Sequence, residues 1–439
     1  MNTRYILGLA AVALLGVGIY VSHERPQQAS VPTCADCNVI VIGLDAWQAA
    51  HVSHLGYERD TTPALDALAK RGYTFSQAIS ASSWTVPSFM SIFTGTFPTV
   101  HKVTNKFVKF NYTDRILTDS RNLSPEIATL AEFMKQHGYA TAGFTGDAGV
   151  SGAFGYSRGF DTYIDDVKFG GFGRNVERAI AWIEQRENEK KPFFVFFHGY
   201  DAHGQFDLPS TYESRYADPS YHKFRGTKQE QESLRERGLA GEDLNLSDAD
   251  VAFWRAWYDG KLHDGDAQLD RFITELRSKG LLDNTILVLV GDHGTESYEH
   301  KRFDHGHSLY DELVHVPLVI VTPGGGKNVR IDSQISTIDV FPTLIELLGM
   351  APDTALAYQL QGTSLVPLMK GERLLQDAYL ETDYRNFVHL RGVRTADGYK
   401  YIKDLSTGRD ELYDLKSDPH EMNNIATGSP EVLSRLQKL

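Results

Sequence analysis

The feature that most constrains the fold is an alternation of short, uniformly apolar segments with longer segments that carry helix start and stop signals. A strand that is apolar along its whole length is buried on both faces, which is typical of a parallel sheet covered by helices. The predicted strands of this kind are residues 38–44, 140–145, 193–198, 285–290 and 316–321. Helices are predicted between and after them, including 248–279 and 336–348. The pattern predicts an α/β fold with a mostly parallel sheet sandwiched between helices.

The sequence pattern changes after about residue 350. Segments 378–381, 388–395, 399–403 and 411–415 resemble short strands separated by turns, which predicts a small antiparallel subdomain. The chain of 439 residues exceeds what one hydrophobic core serves, so we predict a main domain over 38–350 and a C-terminal α+β subdomain over 351–439. Residues 207–248 are highly charged without clear periodicity, which predicts a surface insertion or lid.

The first 25 residues predict an export signal or a membrane anchor. Arg4 precedes an uncharged, mostly apolar run over 5–21, whose length suits a cleaved signal or a retained anchor. Residues 26–37 are predicted to be a linker that contains the two cysteines of the chain, Cys34 and Cys37. In an oxidising compartment a local disulfide is expected, with free thiols as the alternative. We expect a periplasmic or secreted location, with attachment to the inner membrane if the N-terminal segment is retained.

The charge balance restricts the ligands. Lys and Arg number 44 against 57 Asp and Glu, a net charge of −13. This excess of negative charge opposes non-specific binding to nucleic acid and to anionic lipid. A small anionic substrate would therefore need a local cation at its site.

Polar side chains follow several predicted strands, where ligands bind in open α/β sheets. Asp45 follows the first strand, and Asp292 with His293 follows the fourth. His198, Asp201 and His203 come at the end of the third or just after it. Carboxylates and imidazoles together suit zinc or manganese, and a hydroxyl bound to such an ion becomes a strong nucleophile.

Residues 84–95, W-T-V-P-S-F-M-S-I-F-T-G, resemble the active-site signature of the sulfatase family of the alkaline phosphatase superfamily. Further segments resemble family motifs in family order: G-D-H-G over 291–294, H-G-H-S-L-Y-D-E over 305–312, H-V-P-L over 315–318 and E-L-Y-D-L over 411–415. The resemblance covers residues 38 to about 426. It implies the alkaline-phosphatase-like fold and hydrolysis of phosphoric or sulfuric esters.

The sequence departs from the family pattern at the nucleophile. A sulfatase converts a Cys or Ser into formylglycine, but Thr85 occupies that position and cannot give that aldehyde. Phe89 replaces the usual Arg, and Ala46 with Trp47 follows Asp45 where a second Asp is common. These changes resemble the threonine-using relatives, which include phosphodiesterases and phosphoglycerol or phosphoethanolamine transferases.

The resemblance implies roles for eleven candidate residues. Thr85 would be the nucleophile on a metal held by Asp45, Asp292 and His293. Asp201, His203 and His305 would bind a second ion, or the histidines would contact the anion and protonate the leaving group. His203 and His307 would have catalytic roles. His101, Asn105, His198 and His307 would contact the substrate.

These features predict a metal-dependent hydrolase that cleaves phosphodiesters or phosphonates through a covalent threonine intermediate. The cofactor is expected to be one or two divalent ions, zinc or manganese, with calcium as an alternative. The alternative functions are a sulfuric ester hydrolase, a transferase of lipid head groups, and a binding protein without catalysis.

Overall fold

A computed structural model of the protein describes residues 31, 33–104, 109–110, 115–116, 122–186, 189, 191–206, 215–385 and 387–439. The predicted signal or anchor over residues 1–25 and the candidate Asn105 lie outside the described residues. No helix within those ranges is long and apolar enough to cross a membrane. Cys34 and Cys37 form the predicted local disulfide.

Eight strands form the central sheet. In chain order they are β1 (Asn38–Leu44), β2 (Tyr73–Ile79), β3 (Ala140–Phe144), β4 (Thr162–Ile164), β5 (Phe193–Gly199), β6 (Thr285–Gly291), β7 (His315–Val321) and β8 (Val329–Ser336). Their order across the sheet is β8-β2-β7-β6-β1-β5-β3-β4. Neighbouring strands are parallel except where β7 pairs with β2 and β6. The predicted mostly parallel sheet is confirmed, with one strand reversed.

Helices cover both faces of this sheet. In chain order they are α1 (Pro63–Ala69), α2 (Thr85–Thr94), α3 (Pro98–His101), α4 (Leu130–Gln136), α5 (Phe172–Glu184), α6 (Lys228–Leu239), α7 (Asp248–Ser278), α8 (Asp311–Val314), α9 (Val340–Leu347), α10 (Thr354–Gln359), α11 (Val366–Met369) and α12 (Pro430–Leu436). Apolar residues of α2, α4 and α9 form one core with the sheet, and those of α1, α5 and α7 form the core on its other face. The helices therefore sandwich the sheet, as predicted.

The C-terminal part contains a second sheet with antiparallel pairing. Its strands, in both chain order and spatial order, are β9 (Ala378–Tyr384), β10 (Val388–Arg394), β11 (Tyr399–Asp404) and β12 (Asp410–Asp414). The predicted antiparallel character is confirmed. A backbone hydrogen bond from Glu381 of β9 to Ala81 attaches this sheet beside the start of α2. The exact boundary at residue 350 stays a prediction.

The charged segment 207–248 contains a helix that the sequence pattern did not reveal. Helix α6 begins at a capping box in which Thr227 and Glu230 bond to each other's backbone N–H groups. Only Leu234, Arg235 and Gly238 of this helix are buried, so it lacks a continuous apolar stripe. The buried Arg235 nevertheless reaches the site described below.

Candidate active site

The carboxyl ends of adjacent parallel strands position the site. Leu44 at the end of β1 pairs with Gly291 at the end of β6, so Asp45 and Asp292 follow neighbouring positions. Thr85, the first residue of α2, has its Oγ1 3.3 Å from Asp45 Oδ2 and 3.1 Å from His293 Nε2. The structure thus brings together the four residues that the sequence grouped around one ion.

Backbone groups orient these ligands. Asp292 Oδ1 accepts hydrogen bonds from the N–H groups of Ala46 at 3.2 Å and His293 at 2.7 Å. Asp292 Oδ2 is buried, and none of the described residues donates a hydrogen bond to it. His293 Nδ1 lies 2.7 Å from the carbonyl oxygen of Gly294, so Nδ1 must donate and Nε2 keeps its lone pair. Both Oδ2 and Nε2 are therefore available to a cation.

The electrostatics of this group also suit a cation. Asp45 and Asp292 are both 0% exposed. Burial raises the pKa of Asp292 well above its usual range; His293 opposes this rise and the Asp45 carboxylate adds to it. Burial lowers the pKa of His293 to about 4, so its imidazole is neutral. A divalent ion would offset two buried carboxylates that otherwise repel each other, and ligand atoms of Asp45, Asp292 and His293 lie within 4.8 Å of one another.

His198 supports the first carboxylate. Its Nδ1 accepts from the Gly146 N–H at 3.5 Å, and its Nε2 lies 3.2 Å from Asp45 Oδ2. The side chain is fully buried. It therefore holds the Asp45 carboxylate in place. This buried position favours a supporting role for His198 over the predicted direct contact with substrate.

A second cluster of ligands adjoins the first. His203, Asp304 and His305 have ligand atoms within 4.8 Å of one another, and all three are buried. The ring centroid of His305 lies 4.3 Å from that of His293 and 4.8 Å from that of His203. Asp304 was missed in the sequence, although it directly precedes His305.

Arg235 of α6 fixes the orientation of Asp304. Its Nη1 donates to Asp304 Oδ2 at 2.9 Å. Burial raises the pKa of Asp304, but His305 and Arg235 outweigh that effect and hold it well below its usual range. Arg235 also contacts Glu236, which accepts two hydrogen bonds from Arg385, the residue after β9. The insertion helix and the C-terminal sheet therefore both support the second cluster.

The remaining candidates belong to neither cluster. Asp201 Oδ2 accepts from the Phe172 N–H at the start of α5 at 2.6 Å, which differs from its expected role as a ligand of the second ion. His307 Nε2 lies 2.8 Å from Glu296 Oε2. His101 is buried between Ser91 Oγ, 3.1 Å from its Nε2, and the Val103 N–H, 3.0 Å from its Nδ1. The geometry of His101 suits a structural role better than a substrate contact.

Phe89 lies in an apolar environment where the family signature usually has an arginine. Its fully buried ring packs edge-on against Phe196 and His198, with ring centroids 5.8 and 5.1 Å away. A Cβ on Gly43 of β1 would lie 2.6 Å from this ring, so the glycine makes room for it. The departure at position 89 therefore removes a positive charge and substitutes apolar packing.

The fold and the site are those of a sulfatase-type hydrolase. The family model described as Sulfatase matches residues 37–350, and one described as N-sulphoglucosamine sulphohydrolase, C-terminal, matches residues 298–438. The chain belongs to the sulfatase family. It is 25% identical to arylsulfatase K of Rattus norvegicus over 482 residues, which cover 98% of this chain and 81% of that relative.

Solved structures share this fold. Phosphonate monoester hydrolase of Agrobacterium radiobacter superposes with a TM-score of 0.72 at 22% identity, covering 92% of this chain and 94% of that chain. A protein solved in complex with its substrate D-glucosamine-2-N,6-O-disulfate superposes with a TM-score of 0.68 at 19% identity, covering 92% and 96%. At these identities the similarity establishes the fold.

Proposed function

We propose that this protein hydrolyses small anionic sulfuric esters, with Thr85 as the nucleophile. The observation that carries the proposal is the position of Thr85 Oγ1 within 3.3 Å of Asp45 Oδ2 and 3.1 Å of His293 Nε2. The sequence alone ranked phosphate esters first. The family model and the arylsulfatase K relatives favour the sulfuric ester instead.

Asp45, Asp292 and His293 would hold the metal ion together with Thr85. Such an ion supplies positive charge and lowers the pKa of a hydroxyl that it binds. Thr85, as the first residue of α2, also sits at the positive end of the helix dipole, where backbone N–H groups face an anion. His198 keeps Asp45 in place through its Nε2.

The reaction has two steps. The Thr85 oxygen, having lost its proton, forms a bond to sulfur while the bond from sulfur to the ester oxygen breaks. The departing oxygen takes up a proton and leaves as an alcohol. Water then attacks the sulfur of the sulfothreonine, which releases sulfate and restores the Thr85 hydroxyl. His203 and His305, beside His293, line the side of the site where the charge of the ester group would lie.

Cleavage of phosphonate esters or phosphodiesters is a second candidate. The observation that favours it is Thr85 itself, because a plain alcohol lacks the aldehyde chemistry by which the family's formylglycine releases sulfate. The same two steps would then occur at phosphorus through a phosphothreonine. The fold similarity to a phosphonate monoester hydrolase is compatible with this candidate.

An extracytoplasmic location fits these proposals. The Cys34–Cys37 disulfide favours an oxidising compartment. Attachment to a membrane through residues 1–25 stays a prediction from the sequence.

Thr85→Val and Thr85→Ser test the nucleophile. Valine keeps the branched shape without the hydroxyl, so we expect kcat to fall by about 10⁴-fold or more, whereas serine should keep activity within roughly tenfold. Purified protein is assayed with 4-nitrophenyl sulfate and with an aryl phosphonate monoester, each with added Mn²⁺, Zn²⁺ or Ca²⁺. Mass spectrometry of acid-quenched reactions should locate the transferred group on the peptide that carries Thr85.

The two substrates separate the candidates. A higher kcat/KM for the sulfate supports the proposal, and a higher value for the phosphonate supports the second candidate. Full activity in Thr85→Val, or no activity of the wild type with any ion, would overturn both.

A further inference from the structure

A loop that follows β3 lies directly against Thr85. It comprises residues 146–150, and its buried Gly149 is so close to Thr85 that an added Cβ would lie 2.8 Å from both Cβ and Cγ2 of the threonine. Thr85 is itself buried. Packing this tight limits the side-chain rotations that would turn Oγ1 away from Asp45 and His293.

The backbone of this loop is strained. Asp147 has a φ of 57° and a ψ of −137°, and Ala148 has a φ of 51°. Glycine adopts such conformations readily, whereas other residues rarely do. Strain of this kind persists only where surrounding contacts enforce it, and it is common at functional sites. A contact from outside the loop is therefore expected to hold it.

Tyr200, the residue after β5, supplies such a contact. Its hydroxyl accepts a hydrogen bond from the Gly149 N–H at 2.8 Å and donates one to the Asp147 carbonyl oxygen at 3.1 Å. The hydroxyl uses its one proton in the second bond, so both bonds can form together. They lie on either side of Ala148. Because Tyr200 is 1% exposed, removing the hydroxyl leaves the buried Gly149 N–H without this partner.

The ring of Tyr200 packs against histidines of the candidate site. It contacts His198 and His203 edge-on, with ring centroids 4.6 and 5.1 Å away. His198 also holds Asp45 through its Nε2. Tyr200 therefore connects the loop beside Thr85 to the side chain that keeps Asp45 in place.

We propose that Tyr200 is a positioning residue, whose hydroxyl holds loop 146–150 in the strained conformation in which Gly149 confines Thr85. Its effect on the reaction rests on the proposed function. A confined Thr85 keeps Oγ1 in the orientation for attack, which raises kcat without tighter binding of substrate.

Tyr200→Phe removes the hydroxyl and keeps the ring. Full-length protein is assayed with 4-nitrophenyl sulfate and with an aryl phosphonate monoester. If the released loop lets Thr85 move by about 0.5 Å, kcat should fall about tenfold, because 1 Å costs roughly 100-fold, while KM stays within about twofold. A folded Tyr200→Phe with the wild-type kcat would overturn the proposal.

Tyr139→Phe is the matched control. Tyr139 is also 1% exposed, and its hydroxyl donates to the Cys37 carbonyl oxygen at 2.9 Å, at the end of the sheet away from Thr85. We expect a similar loss of stability in urea but the wild-type kcat. An equal fall in kcat in both variants would contradict the proposal, since it would reflect the loss of any buried hydrogen bond.

Ala148→Gly tests the role of the strain. Glycine accepts a φ of 51° without penalty, so the loop needs less support and this variant should keep the wild-type kcat. In its background, Tyr200→Phe should lower kcat by only about two- to threefold. The same tenfold fall in both backgrounds would show that the hydroxyl does not act by holding a strained loop.

Hydrogen exchange followed by mass spectrometry tests the loop without turnover. Tyr200→Phe should speed exchange in the peptides that contain Gly149 and Thr85, whereas Tyr139→Phe should leave both at the wild-type rate. Unchanged exchange in Tyr200→Phe would refute the positioning role.

Ala148→Val takes the place of Tyr200→Phe if that variant does not fold. A β-branched residue disfavours positive φ, so kcat should fall and the same two peptides should exchange faster, and wild-type behaviour in both measurements would overturn the proposal. A wild type that cleaves neither ester refutes the proposed function, while hydrogen exchange still decides the role of Tyr200.

Discussion

Gly149 lies directly against Thr85, the proposed nucleophile, and Gly149→Ala tests whether the position of Thr85 sets the reaction rate. An added Cβ would lie 2.8 Å from both Cβ and Cγ2 of Thr85 and 3.1 Å from the hydroxyl of Tyr200. Ordinary contact begins at 3.4 Å, so the two residues must separate by about 0.6 Å. The backbone φ of Gly149 lies outside the left-handed region, so the change acts through steric overlap alone.

The size of the effect follows from this displacement. A misplacement of 1 Å costs roughly 100-fold in rate, so a shift of 0.6 Å predicts a fall in kcat of about 15-fold. Overpacking of a buried site should also lower the free energy of unfolding by about 1–3 kcal/mol. The loss of rate should exceed any loss that unfolding explains, because most of the variant remains folded at the assay temperature.

The assay compares initial rates of aryl sulfate and aryl phosphonate cleavage at 25 °C with urea unfolding of the same preparations. Gly173→Ala on α5 is the control, since its Cβ would contact only the flexible end of Gln268 at 3.2 Å, and we expect wild-type rates. If Gly149→Ala is destabilised yet turns over both substrates at the wild-type rate, the position of Thr85 does not limit the reaction. The inference that a displacement of Thr85 slows the reaction would then be wrong.

Two further substitutions probe buried carboxylates. Asp292→Asn should abolish activity and metal binding at the Asp45–Asp292–His293 cluster, yet stabilise the metal-free protein, because burial and Asp45 disfavour its charge. A thermal melt in EDTA that places this variant below the metal-free wild type would contradict the expectation. Burial raises the pKa of Asp266 to about 7, although hydrogen bonds from the Ala64 and Leu65 N–H groups act to lower it. The native state therefore holds a proton that the unfolded chain releases near pH 4, so stability falls as pH rises from about 4 to 7. The unfolding free energy of the wild type relative to Asp266→Asn, from urea titrations, should be lower at pH 7.5 than at pH 4.5, and a constant difference would show that this carboxyl does not titrate in that window.

Much of the main sheet was predictable because its central strands are apolar throughout. Strand β2 was missed because Thr74, Ser76 and Gln77 interrupt its apolar pattern. These polar groups are satisfied by neighbours that are distant in sequence, as when Ser76 Oγ donates to Asp332 Oδ1 at 2.5 Å. A pattern in one segment cannot reveal a partner that the fold supplies. Helix α6 was not predicted for a related reason, since a buried arginine takes the place of an apolar residue there.

The candidate site also contains some residues that the sequence predicts and others that it does not. Asp45, Asp292 and His293 were predictable because each directly follows a strand, and Thr85 because of its flanking motif. Asp201 also follows a strand, but its carboxylate accepts a hydrogen bond from the backbone N–H at the N-terminus of α5, and the acid whose oxygen groups with His203 and His305 is Asp304. Which of two nearby acids, Asp201 or Asp304, reaches His203 depends on side-chain direction, which spacing in the sequence does not encode.

The contact series from Arg385 through Glu236 and Arg235 to Asp304 bears on how this enzyme could be redesigned. Exchanging residues 215–247 for the corresponding loop of another family member is an obvious way to alter substrate preference. Such a graft would also remove the Arg235 guanidinium, which fixes the orientation of the Asp304 carboxylate. A redesign of residues 215–247 should therefore retain Arg235 and Glu236, or include compensating changes near residue 385.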